Sequence, residues 1–128
     1  MARQARKKRT PQNESLIQSQ CVYWFKVQYP GKMIFSIPNG AHKSIMARMK
    51  FKREGLLSGV PDLFIAEPNV KYHGLFIEMK DGYNKPSDAQ LIIMKALIFK
   101  GYACVVCYSL DEFMKVIKDY FACAEIIN

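Results

Sequence analysis

Two short apolar segments lie near the middle of the chain, Asp62–Ala66 and Gly74–Lys80, and a polar stretch with proline, asparagine and glycine separates them. This pattern is typical of two β-strands joined by a loop. Side chains alternate between the faces of a strand, so Glu78 and Lys80 are expected to share one face with Phe76. Charged side chains are rare on such an apolar strand unless they are paired or hold a metal, and the strand therefore marks a candidate site.

The remaining pattern predicts three helices, two more strands and one basic segment of mixed character. In chain order these are a helix that begins at Thr10 and Pro11 and ends near Gln28, a strand over Met33–Ile37, a mostly helical or irregular segment over His42–Arg53, the two central strands, a helix from the Ser87 cap to Lys100, a strand over Tyr102–Tyr108, and a helix that begins at the Ser109 cap. This order predicts an α/β sandwich with a central mixed β-sheet flanked by helices.

The first predicted helix carries a carboxylate on its apolar side. At about 100° per residue, Glu14 falls on the same stripe as Ile17, Cys21 and Phe25. Glu14 therefore either faces the interior or stays half exposed, where it stabilises the helix dipole from the first turn.

Length and composition favour one small globular domain. The chain has 128 residues, half of them hydrophobic, and a formal net charge of +8. We expect a flexible basic tail over residues 1–9 and a single domain over residues 10–128. No apolar run approaches the roughly 18 residues of a membrane span, and the N-terminus lacks the apolar centre of a secretory signal, so we expect a soluble protein with no membrane partner.

Four cysteines, at positions 21, 104, 107 and 123, raise the question of zinc or disulfides. Cys104 and Cys107 lie in one apolar strand, where a spacing of three places them on opposite faces, and no second Cys/His pair completes a tetrahedral site. We therefore expect buried free thiols and a reducing, intracellular setting such as the cytoplasm.

Ten of the nineteen basic residues fall in two clusters, the N-terminal tail and the segment His42–Arg53. The tail either contacts phosphates or an acidic surface, or is a solubilising extension. The second cluster suits a nucleic-acid backbone, whose recognition is mainly electrostatic, and a solvated helix face is the alternative. The loop "DGYNKP" adds an aromatic and a basic side chain that are able to stack on or hold a strand. The candidate DNA-binding residues are Lys43, Arg48, Lys50, Lys52, Arg53, Tyr83 and Lys85.

A second carboxylate, Asp62, follows Pro61 at the start of the first central strand. If the two strands pair as a hairpin, Asp62 and Glu78 converge at one end of the sheet. Two carboxylates, the backbone carbonyl of Met79 and several waters would suit Mg²⁺ or Mn²⁺, with Lys80 beside the attacking water. Alternation places two other acids, Glu67 and Asp81, out of phase with this pair, so they are interpreted as loop or surface carboxylates. His73 lies in the loop and has no nucleophile to pair with, so it is given no catalytic role.

The order of Pro61, Asp62, Glu78 and Lys80 resembles the PD-(D/E)xK nucleases, and "GVPDLFI", "GLFIEMK" and "SDAQ" more narrowly resemble the virus-type replication-repair nuclease (VRR-NUC) domain. The resemblance extends from Glu14 to about Tyr120. It implies a restriction-endonuclease-like fold and metal-dependent hydrolysis of phosphodiesters that leaves a 5′-phosphate and a 3′-hydroxyl. It also implies that Glu14 completes the metal site.

Within the same resemblance, a glutamine at the position of Gln90 lies near the active site, whereas local physics requires only a cap for the helix that begins after Ser87. Both roles are open.

The resemblance also implies a substrate class. Stand-alone VRR-NUC domains resemble Holliday-junction resolvases, which implies a homodimer acting on branched or double-stranded DNA in replication, repair or recombination, in a host cytoplasm if the gene is viral. Larger relatives cut flaps, so a monomeric flap nuclease is one alternative. Another is a basic DNA-binding accessory protein without catalysis, and a weaker third is a nuclease that acts on RNA.

Overall fold

The computed structural model describes residues 11–38 and 44–122. Its helices and strands follow in the predicted order: α1 (Pro11–Gln28), β1 (Ile34–Ser36), α2 (Ile45–Arg53), β2 (Leu63–Ile65), β3 (Leu75–Met79), α3 (Asp88–Phe99), β4 (Ala103–Cys107) and α4 (Leu110–Phe121). Each strand is shorter than predicted by one residue at either end, although some flanking residues still bond to the neighbouring strand, as the Ile37 N–H does to the Asp62 carbonyl. The predicted tail over residues 1–9 and residue Cys123 lie outside the described residues.

The four strands form one mixed sheet in the order β1-β2-β3-β4. The first three strands are antiparallel, with Phe35 opposite Phe64 and Phe64 opposite Phe76. β4 runs parallel to β3, with Ile77 opposite Val105. The parallel step requires a crossover, and α3 supplies it. The predicted hairpin of the two central strands and the mixed character of the sheet are both confirmed.

The main core lies on the face of the sheet covered by α1 and α4. Cys21 and Phe25 from α1 and Phe113, Ile117 and Tyr120 from α4 are fully buried there against the odd-numbered residues of β2, β3 and β4. Gln28, the last residue of α1, is exposed.

The opposite face carries an aromatic row and α3. Phe35, Phe64, Phe76 and Tyr102 contact one another in series, with the rings of Phe64 and Phe76 stacked at 4.4 Å between centroids. α3 packs beside them, against β4. Even-numbered residues of β3 therefore point towards α3, and Glu78 is one of them.

Serine caps define the starts of α2, α3 and α4, and a close backbone contact at Gly59 positions α3. Ser44, Ser87 and Ser109 each accept a hydrogen bond from the backbone of the first turn that follows, so each of these helices begins where its cap stands. Gly59, at φ +91°, lies so close to the start of α3 that a Cβ there would approach the Ala89 carbonyl oxygen to 2.7 Å. The loop before β2 is thereby held against α3.

The cysteine prediction is confirmed for the described residues, since Cys21, Cys104 and Cys107 are buried free thiols. Burial raises the pKa of each to about 12, so none is a thiolate at neutral pH. Within the described ranges, no helix is both long and apolar enough to cross a membrane.

Candidate active site

The hairpin brings Asp62 and Glu78 together at one end of the sheet. Leu63 pairs with Ile77, so continuing the register by one residue places Asp62 opposite Glu78. The Met79 N–H donates a hydrogen bond of 2.8 Å to Asp62 Oδ2, which fixes this carboxylate against the end of β3. The convergence expected from the hairpin is therefore present.

Pro61 leaves the Met79 carbonyl without a partner in the ladder of β2 and β3. Leu63 and Ile77 form a pair in the antiparallel ladder, and the same register places Pro61 opposite Met79. Proline has no N–H to donate, so the ladder offers no partner to the Met79 carbonyl from this side. The proline thus stops the pairing where the two carboxylates stand, and it leaves a backbone oxygen beside them.

Glu78 is the most constrained of these groups, because only 1% of the residue is exposed. Its Oε1 accepts a hydrogen bond of 2.9 Å from Gln90 Nε2 and lies 3.3 Å from Lys80 Nζ. Burial, followed by the negative charge of Asp62, raises the pKa of Glu78 to about 7, and Lys80 opposes this shift. Burial also raises the pKa of Asp62, although the Met79 N–H and Lys80 act against it.

Gln90 caps α3 and also contacts Glu78. Its backbone N–H donates to Ser87 Oγ and its Oε1 accepts from the Ser87 N–H, which completes a capping box at the start of α3. The amide nitrogen that remains points to Glu78. The cap therefore orients the side chain whose other end holds the buried carboxylate.

Glu14 lies at the same end of the sheet. Partial burial raises its pKa, Lys80 lowers it, and the charges of Asp62 and Asp81 raise it further. A carboxyl group feels these three charges only if it stands near them. The first turn of α1 thus presents Glu14 towards the two carboxylates of the hairpin while it keeps part of its surface in water.

The interpretation of Asp81 as a surface carboxylate is wrong. The residue is only 1% exposed. Its Oδ1 accepts a hydrogen bond of 2.7 Å from Asn84 Nδ2, and the Asn84 carbonyl in turn accepts from the Tyr108 hydroxyl. Alternation excluded Asp81 because it follows Glu78 by three residues, but the strand ends at Met79 and alternation no longer applies beyond it. A "D-x-x-N" turn directly after a strand was the signal that could have found it.

The other two residues that were set aside do lie away from the site. His73 is exposed and its N–H donates to the Gly101 carbonyl, near the end of β3 opposite to Glu78. The Glu67 carbonyl accepts a hydrogen bond from the Tyr120 hydroxyl, which places Glu67 beyond the far end of β2.

The predicted DNA-binding residues that the structure describes lie on the protein surface. Lys43 is not among the described residues. Of α2, no described residue is buried. Its basic residues are exposed, and Lys50 forms an ion pair of 3.8 Å with Glu54. In the loop after Lys80, Tyr83 is 66% exposed and Lys85 is exposed as well. These positions remain predictions of a DNA surface.

One observation indicates that these carboxylates suit a hard cation. Glu78 Oε2 and Asp81 Oδ2 are buried, and no described donor reaches either of them. Buried carboxylate oxygens are expensive unless something positive meets them. No group of three or more acidic, histidine or cysteine side chains in the described ranges is arranged to hold a metal alone. Asp62, Glu78 and the Met79 carbonyl are nevertheless a donor set that suits Mg²⁺ or Mn²⁺, since such an ion takes one or two carboxylates and fills its other positions with backbone oxygen and water.

Known proteins match this chain in sequence and in structure. The family model of the VRR-NUC domain matches residues 2–111. A solved structure of a VRR-NUC domain protein is 30% identical and has a TM-score of 0.71 over 88% of this chain and 90% of that one. A second solved VRR-NUC domain, at 22% identity and a TM-score of 0.58, covers 84% of this chain and 96% of that one and shares the fold. No curated protein sequence matches.

Proposed function

The chain belongs to the VRR-NUC domain family, a nuclease-type family, and we propose that it is a metal-dependent endonuclease that hydrolyses DNA phosphodiesters, with branched DNA as its substrate. The observation that carries this proposal is the buried Glu78, whose Oε2 has no donor in the described structure and which stands opposite Asp62 on the adjoining strand. A protein that only bound DNA would gain nothing from such a costly pair.

The residues that would hold the cation are Asp62, Glu78 and the carbonyl of Met79, with Glu14 acting through water. When bound, Mg²⁺ or Mn²⁺ would neutralise the carboxylates, polarise the scissile phosphate and lower the pKa of water. The number of acidic groups exceeds what one Lys neutralises, so this corner of the protein has a negative charge that attracts a dication.

The other residues have roles that follow from their contacts. The Lys80 side chain is 14% exposed and its Nζ lies 3.3 Å from Glu78 Oε1, so its ammonium stays beside the carboxylates, where it would orient the attacking water or offset charge that builds on the phosphate. Gln90 holds Glu78 in a fixed rotamer and keeps its Oε2 free. Asp81 and Asn84 fix the loop that carries Tyr83 beside the site.

The substrate proposal rests on shape and charge. The exposed basic residues of α2 and the exposed Tyr83 and Lys85 offer charge and an aromatic face for phosphates and bases. We propose that the active protein is a homodimer, so that two sites meet a branched DNA about a two-fold axis.

Cleavage of defined DNAs tests this function. Purified protein is incubated with Mg²⁺ and with four-way junction, flap and linear duplex DNA, and Glu78→Ala is compared with Glu67→Ala as a matched loop carboxylate. We expect 5′-phosphate products from the junction with the native protein and with Glu67→Ala, and none with Glu78→Ala. A monomer that cuts only one strand of the flap would favour flap cleavage, and DNA binding without any cleavage would refute the nuclease.

A further inference from the structure

A groove of about 610 Å³ lies between α1 and the edge strand β1. One of its ends is next to the candidate active site. Ser15 lines it and directly follows Glu14, and Ser36 lines it and directly precedes Ile37, whose N–H donates to the Asp62 carbonyl at 2.8 Å. From Ser15 to Lys26 the groove follows α1 for roughly 16 Å, at 1.5 Å per residue.

The lining of the groove suits a nucleic-acid strand. None of the described residues that line it is acidic, although four acidic residues lie at the site close by, and Lys26 provides a positive charge at the far end. Between these ends the groove offers hydroxyl and amide groups, including Ser19 and Gln18. Such side chains, with lysine, make most protein contacts to phosphate and sugar.

One aromatic side chain that lines the groove is open to solvent, since Tyr23 is 73% exposed. Aromatic faces stack on bases only where those bases are not already stacked in a duplex, and stacking tolerates any base sequence. The exposed ring of Tyr23 therefore favours an unpaired strand over a double helix.

We propose that the groove between α1 and β1 binds the unpaired strand that leaves the scissile phosphate, with Lys26 on its backbone and Tyr23 on its bases. The inference rests on the proposed function, because the groove leads to the carboxylates and a strand in it would place its next phosphodiester there. It accommodates up to about five nucleotides at the B-form spacing of 3.4 Å.

The test is binding, measured separately from cleavage. Full-length protein with Glu78→Gln is titrated in EDTA against a labelled blunt duplex and against the same duplex with a single-stranded extension of about five nucleotides, placed at the 5′ or the 3′ end. We expect the extension on one of these ends to tighten binding at least about fivefold. Tyr23→Ala should remove most of this gain. Lys26→Gln should reduce the slope of log affinity against log salt for the extended duplex by about 0.7.

Lys118→Gln is the matched control, because Lys26 and Lys118 each lie exposed in the last turn of a helix, α1 and α4 respectively. Both substitutions remove one charge and the same favourable contact with a helix C-terminus. Lys118→Gln should leave the ratio of the two affinities unchanged, and melting curves confirm that all variants fold.

The inference is overturned if the extension gives no gain, or if the Tyr23 and Lys26 variants keep the full gain. It is also overturned if these variants alter only the sedimentation coefficient, since the groove would then be a contact between protein chains at the free edge of β1. Its failure differs from that of the proposed function. If the protein cleaves junctions but binds both duplexes equally, only the inference about the groove is refuted. If the extension tightens binding but the protein never cleaves, only the proposed nuclease function is refuted.

Discussion

The charged residues at the end of β3 and those on α2 differ in almost every physical respect. Glu78 and Asp81 are each 1% exposed and each has an oxygen that no described donor reaches. The basic side chains of α2 are exposed, and no described residue of that helix is buried. Water screens the second group, so each of its charges acts weakly, whereas the charges at β3 interact at short range in a protein interior. Single substitutions should therefore have large effects at β3 and small effects on α2.

The largest effect on stability is expected from a metal ion. At a concentration about 100 times its dissociation constant, Mn²⁺ should stabilise the fold by about 2.7 kcal/mol. Differential scanning fluorimetry with Mn²⁺ and with EDTA measures the rise, which for a domain of this size should be close to 10 °C. Asp62→Asn should abolish the rise and Glu67→Gln should preserve it. An equal rise in both variants would show that the ion binds elsewhere.

The next largest effect is a pH dependence of the free energy of unfolding of the metal-free protein. Folding raises the pKa of Glu78 from an ordinary value near 4.5 to about 7, so the folded state holds the proton more tightly than the unfolded state. Glu78 therefore costs no stability below about pH 4.5, and its cost grows as the pH rises to about 7 and is then constant.

Glu78→Gln removes this cost, because the amide keeps the shape without the charge. In EDTA at pH 8 the variant should be more stable than the native protein by on the order of 3 kcal/mol, at about 1.4 kcal/mol per pKa unit. Urea unfolding at pH 4.5 and pH 8 measures the difference, which should be lost at the lower pH. A variant that is less stable at both pH values would show that the charge of Glu78 stabilises the fold.

A smaller effect separates the two roles of Gln90. Ser87→Ala breaks the cap of α3 but leaves the contact between Gln90 and Glu78 chemically possible, so it should cost about 1 kcal/mol of stability and little activity. Gln90→Ala should lose a similar stability and, in addition, at least tenfold in cleavage rate, because Glu78 loses a donor. Equal activity of the two variants would limit Gln90 to capping.

The smallest effect is expected on α2. Arg48→Gln should change the free energy of unfolding by less than about 0.5 kcal/mol. It should lower the slope of log affinity against log salt for duplex DNA by about 0.9 if the side chain neutralises one phosphate. Lys118→Gln, on α4, should leave that slope unchanged. If Arg48→Gln and Lys118→Gln lower the slope equally, DNA binding depends on the net charge of the protein and not on a specific contact of Arg48.

The fold could be predicted from the sequence because its elements are local. Serine caps and alternating strands determined the order and nearly all of the boundaries, and proline before Asp62 marked where a strand begins. Alternation also placed Glu78 with Lys80, which the ion pair of 3.3 Å bears out.

What could not be predicted depends on contacts between elements. Asp81 is buried because the Tyr108 hydroxyl holds the Asn84 carbonyl from the end of β4, a contact that no pattern along the chain reveals. Gln90 shows its second role only once α3 lies against β3. The groove beside β1 likewise exists only when α1 packs along it, so sequence periodicity assigned Tyr23 and Lys26 no function.

Diffraction from crystals of the full chain soaked in Mn²⁺ tests the central claim most directly, because manganese is located by its anomalous signal. We predict a peak between Asp62 and Glu78 Oε2, within reach of the Met79 carbonyl, and no such peak in crystals of Asp62→Asn. Crystals in which this position stays empty at millimolar Mn²⁺, with Asp62 and Glu78 turned apart, would contradict the account.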